Sequence, residues 1–377
     1  MRYFDHNAAS PLHPVADRAW REAAARFPAN PSSPHRPGAR AARALEQARR
    51  QLAARLGARA EDVVWTSGAT ESNNAAFFHA ARTAPPPAEA LVSAVEHPSV
   101  IEAARRWFPG RHAFIPVDSA GVVALDWLAT RLRRRPPALV AVMAANNVTG
   151  VLQPWREALA LCRRHGIPFL CDAVQWLGRE PSAGLGAADF LSGCAHKVGG
   201  PRGIGFLKCP EPGPFHGLLA GGPQERGRRA GTENVPGALA LETLLATREA
   251  ALTPPARAAR RRWRDRFEAV VRDALPHARV LGADAPRLWN TSTWRMPPAD
   301  CPQRWLIKLD KAGFAAANGS ACTGGREPAA RVVTAPGLPA PEAGGVLRFS
   351  SGWETTEADW QALAEALIAT ARALPSR

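Results

Sequence analysis

Between residues 40 and 208 the chain alternates short apolar runs with helical spacing, and this alternation is what most restricts its fold. Val63-Val64-Trp65-Thr66, Leu91-Val92-Ser93-Ala94-Val95 and Leu139-Val140-Ala141-Val142-Met143 read as strands. So do Ile167-Pro168-Phe169-Leu170-Cys171, Asp189-Phe190-Leu191-Ser192 and Ile204-Gly205-Phe206-Leu207. Between them, Leu45, Leu52 and Leu56 recur at helical spacing among alanines, and Gly57 follows as a C-terminal cap. Strands alternating with helices argue for an α/β architecture. Polar motifs fall repeatedly at the C-terminal ends of the strands, which is where open α/β sheets bind ligands. Thr253-Pro254-Pro255 breaks the pattern. The expected division is a large domain over residues 15–252 and a smaller one over 253–377, to which 1–14 returns. The helix after the break should turn Trp263, Phe267, Val270, Val271 and Ala274 to one face. The last helix, from about Thr356, should turn Trp360, Leu363 and Leu367 inward.

Charge raises a second question. Lys and Arg total 48 against 33 Asp and Glu, a net charge of +15. Such a surplus attracts nucleic acid or acidic partners. Its densest runs, Arg131 to Arg135 and Arg257 to Arg264, come with no nucleic-acid module. The expectation is therefore arginines on ordinary helix faces, with an acidic protein partner ahead of nucleic acid. No stretch of about 18 apolar residues occurs, so no membrane span is expected. The first six residues lack the apolar run of a signal peptide, and a cytoplasmic location is expected. The six cysteines have no CxxC spacing, which favours free thiols over disulfides or a metal site. Only Lys197, Lys208, Lys308 and Lys311 are lysines. An ammonium can lose its proton and form an imine, whereas a guanidinium cannot. Lys197, after His196 and before Gly199-Gly200, is the candidate; the other three read as surface charges.

Several motifs could serve that chemistry, each with a plainer alternative. Ser67-Gly68-Ala69-Thr70 joins a strand to a helix and could receive a phosphate, or be an ordinary capped turn. Asp172 in Asp172-Ala173-Val174-Gln175 could face a pyridinium, with Gln175 on a ring oxygen, or cap a helix. His97 could stack on a ring and shuttle protons, or be a turn histidine. Cys322, in Gly319-Ser320-Ala321-Cys322-Thr323-Gly324, could be a thiolate nucleophile on an accessible loop, or incidental. Arg348 could clamp a carboxylate, or be an edge-strand arginine.

In order, these residues resemble the cysteine desulfurases, pyridoxal-phosphate (PLP)-dependent enzymes of the class-V aminotransferase family. The similarity runs from Tyr3-Phe4-Asp5-His6-Asn7 through Thr66-Ser67-Gly68-Ala69-Thr70-Glu71, Glu96-His97, Asn146-Asn147 and Asp172-Ala173-Val174-Gln175. It continues through His196-Lys197, Gly221-Gly222-Pro223-Gln224-Glu225-Arg226-Gly227, Gly231-Thr232, Gly319-Ser320-Ala321-Cys322 and Leu347-Arg348-Phe349-Ser350. It implies fold type I, a large domain with a mainly parallel seven-stranded sheet flanked by helices, and a smaller α+β C-terminal domain carrying the cysteine loop. It further implies that Lys197 holds PLP covalently and moves a proton, that Asp172 bonds the pyridine nitrogen and Gln175 the ring hydroxyl, and that His97 stacks on the ring. Ala69, Thr70 and His196 would hold the phosphate, with the side chain at Cys194 beside them. Thr232 would reach the phosphate of a second subunit, implying a homodimer. Asn147 and Arg348 would bind the carboxylate of L-cysteine. Cys322 would take the sulfur as a persulfide for an acceptor protein, an iron–sulfur scaffold or a sulfur carrier. Two departures stand out: Cys194 replaces a serine hydroxyl of the phosphate site, unless Ser192 compensates, and Val148 replaces an acid. The alternatives are a selenocysteine lyase or other class-V lyase, and a non-catalytic paralogue with a basic binding surface.

Overall fold

The computed structural model describes residues 1–210, 215–297, 303–318, 332–338 and 345–374. Its strands are β1 (Arg2–Tyr3), β2 (Val63–Thr66), β3 (Ala90–Ser93), β4 (His112–Ile115), β5 (Leu139–Ala141), β6 (Phe169–Asp172), β7 (Phe190–Cys194) and β8 (Gly205–Lys208). There follow β9 (Arg279–Val280), β10 (Thr291–Arg295), β11 (Phe314–Ala315), β12 (Ala317–Asn318) and β13 (Val346–Ser350). A seven-stranded sheet has the order β2-β8-β7-β6-β5-β3-β4, and only β8 runs against its neighbours. Its central strands are buried along their whole length, which is why they read as unbroken apolar runs.

Helices cover both faces of this sheet. Helices α1 (Pro14–Arg26), α2 (Arg36–Leu56), α3 (Ala69–Thr83), α4 (Pro98–Trp107), α5 (Leu125–Arg134), α6 (Trp155–Arg164) and α7 (Val235–Ala251) surround it. Phe77 of α3 with Val100 and Ile101 of α4 fill one face. Leu45, Leu52 and Leu56 of α2 join Leu128, Trp155, Leu159 and Leu241 on the other. Gly57 ends α2 at φ 72°, the left-handed cap that the sequence pattern implies.

A second sheet, β12-β13-β10-β9, is antiparallel throughout, and β1 pairs with β11 beside it. Helices α8 (Pro254–Ala274), α9 (Gln303–Lys311) and α10 (Glu357–Arg372) pack here, with Phe4, Phe267, Trp294, Trp305, Phe349 and Trp360 as the core. A Thr356–Asp359 capping box starts α10, and Trp360, Leu363 and Leu367 point inward. Helix α8 departs from expectation at Val270, which is 46% exposed, and at Ala274, which is also exposed. Its buried stripe runs through Arg264, Phe267, Glu268 and Val271, leaving Val270 on the solvent rim.

The arginine run of α8 does more than decorate a helix face. Arg257 pairs with Glu180, and Arg260 sits 4.5 Å from the Trp353 ring centroid and donates to Trp353 O. Arg264 is buried and donates to Leu288 O. Lys208 also departs from the surface reading. It is buried in β8, and its Nζ donates to Ala188 O (2.8 Å) and Asp189 O (3.3 Å). Carbonyls at the neighbouring strand's start thus replace water around the ammonium. Among the described residues, no helix is long and apolar enough to cross a membrane.

Candidate active site

A cavity of about 420 Å³ opens at the C-terminal ends of β3, β5, β6 and β7. Nearly every wall comes from a residue that follows a strand. Ala69 and Thr70 begin α3 directly after β2, and no side chain caps that helix start. The free N–H groups of its first turn, with the positive end of the helix dipole, suit an anion. Gly68 and Gly205 approach so closely that a Cβ on Gly205 would lie 2.6 Å from Gly68 Cα. Glu71, also in the wall, accepts from Ser67 N and pairs with Arg229 at 3.0 Å. Burial works against the Glu71 carboxylate, but Arg229 and Ser67 hold it below its ordinary value.

Asp172 ends β6, and its Oδ1 accepts from Val174 N (3.0 Å) as a turn cap would. Its Oδ2 accepts from Asn73 Nδ2 (3.0 Å). Glu96 lies close enough for the Asp172 charge to reach it. Burial first, and that charge second, push the Glu96 carboxyl well above its ordinary value. His97 caps α4 after β3, its Nδ1 accepting from Ser99 N. Burial lowers its basicity against the pull of Asp172. Burial, with Lys197 next, takes His196 down to about 4, so its imidazole is neutral.

Lys197 follows β7. Its Nζ donates to Asn7 O (2.9 Å) and Ala8 O (2.6 Å) of the N-terminal segment. Asn7 gathers much of the site. It donates to Asn147 O and Thr291 Oγ1, accepts from Asn290, and its carbonyl also takes Gln175 Nε2. Arg179, wholly buried, donates to Gln175 O, His6 O and Lys197 O, fixing the backbone that carries the lysine. Sequence reasoning missed Asn7, Arg179, Asn73, Ser99 and the cavity-lining Arg202. Asn7 lies inside a recognised motif, and Ser99 and Arg202 follow His97 and Lys197 in the stretches singled out for those two residues.

Two wall residues keep a buried polar atom without a partner among the described residues: Gln175 Oε1 and Asn147 Oδ1. Together with the open helix start and Asp172, they fit a flat, polar, phosphorylated ring better than an apolar ligand.

The structure thus brings Ala69, Thr70, His97, Asn147, Asp172, Gln175, Cys194, His196 and Lys197 to one cavity. Arg348 stands one layer back, on an interior strand rather than an edge. Its guanidinium donates to Asn147 O (3.0 Å) and Asp5 Oδ1 (2.7 Å), and its Nε has no partner among the described residues. Thr232 is exposed and outside this cavity. It follows a loop anchored by buried Glu225, which accepts from the two terminal Arg49 nitrogens and Trp65 N although its own φ is 49°. Cys322 lies outside the described residues. Cys194 lines the cavity, its Sγ 4.0 Å from His196 Nε2, and burial pushes its thiol up to about 12. The Ser192 hydroxyl is buried without a partner among the described residues and takes no part in the wall, so it offers no substitute hydroxyl there. Val148, in place of the family's acid, packs with Val95, Val332, Val333 and Val346.

The family profile described as Aminotransferase class-V matches residues 2–363. A cysteine desulfurase of Cereibacter sphaeroides is 38% identical over 371 residues, 97% of this chain and 94% of that one. Cysteine desulfurase 2 of Trichormus variabilis is 36% identical, covering 95% of this chain and 89% of its own. Among solved structures, a NifS-like protein from Rickettsia africae superposes with a TM-score of 0.88 at 27% identity, covering 99% of both chains.

Proposed function

The chain belongs to the class-V aminotransferase family, and on that premise we propose that it is a PLP-dependent cysteine desulfurase, converting L-cysteine to L-alanine and passing the sulfur through Cys322 to an acceptor protein. One observation carries the reading: Lys197, Asp172, His97 and the uncapped start of α3 converge on one cavity. When bound there, PLP supplies an electron sink that weakens bonds at the substrate's α-carbon and beyond.

The chain's own residues do the rest. The N–H of Ala69, the Thr70 hydroxyl and neutral His196 hold the phosphate. Asp172 would receive the ring N–H, and Gln175, whose Oε1 has no partner among the described residues, would bond the ring hydroxyl. Lys197 anchors the cofactor and moves a proton. Asn147 meets the substrate carboxylate, backed by Arg348, whose Nε has no partner among the described residues. Exposed Thr232 serves the phosphate of a second copy, so the working unit is a homodimer.

The test is direct. With saturating PLP, L-cysteine and a reductant, the protein should release alanine and sulfide in equal amounts; no alanine would end the proposal. L-selenocysteine in parallel, with and without Cys322, separates a desulfurase from a selenocysteine lyase. Cys194→Ser provides a second check. A neutral thiol is a weak donor, and a hydroxyl in its place should tighten PLP binding by about three- to tenfold, the scale of one added hydrogen bond. Equilibrium titration of the apoprotein measures this.

A further inference from the structure

Behind His97 lies a chain of hydrogen bonds whose donors are all dictated from one end. Asp172 Oδ2 can only accept, so the Asn73 atom 3.0 Å away must be its amide nitrogen. The other hydrogen of that nitrogen goes to Ser99 Oγ at 2.9 Å. Asn73 Oδ1 is left buried with no partner among the described residues, so the residue is placed for its two donors. A flipped amide would set oxygen against the Asp172 carboxylate. With its lone pair engaged by Asn73, the Ser99 hydroxyl turns its own hydrogen to His97 Nδ1, 2.8 Å away. The Ser99 backbone N–H addresses the same nitrogen at 3.1 Å. A protonated Nδ1 would meet that N–H head-on.

From this geometry we infer that Asn73 and Ser99 are positioning residues that hold His97 with Nδ1 bare and the proton on Nε2, so that the cavity receives a hydrogen-bond donor from His97 and no lone pair. The inference rests on the desulfurase reading for what the donor acts upon. It divides the labour between the two nitrogen groups of the site: Lys197 takes a proton, and His97 gives a hydrogen bond. Burial, which lowers His97 basicity, keeps the ring neutral and this arrangement populated. It also ties His97 to Asp172, because the carboxylate that would meet the ring nitrogen of PLP is the one that sets the orientation of Asn73.

The test has one readout that needs no turnover. In the holoenzyme labelled with nitrogen-15 histidine, the His97 signal, assigned by its absence in His97→Gln, should show unprotonated Nδ1 and protonated Nε2. The second readout is kinetic. Asn73→Ala and Ser99→Ala should each lower kcat by about ten- to a hundredfold, the scale of a misplaced reacting group, with KM little changed. The double variant should be no slower than the slower single one, because both act through the same ring nitrogen. Ser99→Thr, which keeps the hydroxyl, should restore most of kcat. An Nδ1-protonated His97 in the parent enzyme, or losses that multiply in the double variant, would overturn the inference. A protein that releases no alanine would defeat the functional proposal while leaving the tautomer reading to stand or fall by itself.

Discussion

Replacing Lys197 with alanine is expected to abolish alanine release, by a factor of about 10⁴ or more, and to leave the purified protein without the visible colour of bound PLP. Two functions are lost at once, covalent anchorage of the cofactor and proton transfer at the substrate. The fold should survive. Nζ hydrogen-bonds two carbonyls, Asn7 O and Ala8 O, and an unmet buried acceptor costs about 1–3 kcal/mol. Urea unfolding followed by circular dichroism measures that cost. Lys197→Arg separates charge from covalency: a guanidinium can still reach those carbonyls and cannot be deprotonated to form an imine. It should be as inactive as the alanine variant. Turnover within tenfold of the parent would show that Lys197 acts only as a charge.

The sequence reveals the half of this site that sits directly behind strands. Asp172, His97, Asn147 and Lys197 each follow a short apolar run, and the rule that ligands gather at strand C-termini places them together before any coordinates exist. Six of the seven strands of the sheet are legible for the same reason, since buried strands between helices have little other use for such runs; β4 (His112–Ile115) is not, and the number seven comes from the family resemblance. What stays hidden is held by single contacts. Asn73 and Ser99 look like ordinary helix-start polar residues, and only the register of α3 against α4 brings the amide within reach of both Ser99 and Asp172. Arg179 is one of many arginines, and its burial against three carbonyls leaves no mark on its neighbours in the chain. Lys208 misleads in the opposite direction. A lone cation at a strand end reads as solvated, yet carbonyls of Ala188 and Asp189 take the place of water. Charge counts register how many cations there are and are blind to which ones the fold has enclosed.

The cysteines make the second large prediction. Four of the six lie among the described residues, and all four are buried and free. Burial pushes Cys162 and Cys194 up to about 12 and Cys209 to about 11, and takes Cys171 well above its ordinary value. At a pKa of about 12, roughly one thiol in 10⁵ is thiolate near neutral pH, and the thiolate is the nucleophile. Cys194 illustrates the point: it lines the cavity itself, within reach of Lys197's electrostatic influence, and burial still outweighs that pull. On the proposed reading the nucleophile is Cys322, which stands in the Gly-Ser-Ala-Cys motif; Cys301 is the other cysteine outside the described residues. Cys322→Ser should keep the colour of bound PLP and lose single-turnover persulfide formation by about a thousandfold or more, the scale of a missing nucleophile. Mass spectrometry of the parent protein after one turnover should place one extra sulfur on the peptide containing Cys322, and Cys301→Ser should leave that signal in place. Persulfide on the Cys301 peptide, or undiminished sulfur transfer by Cys322→Ser, would move the nucleophile elsewhere and take the proposed route of sulfur with it.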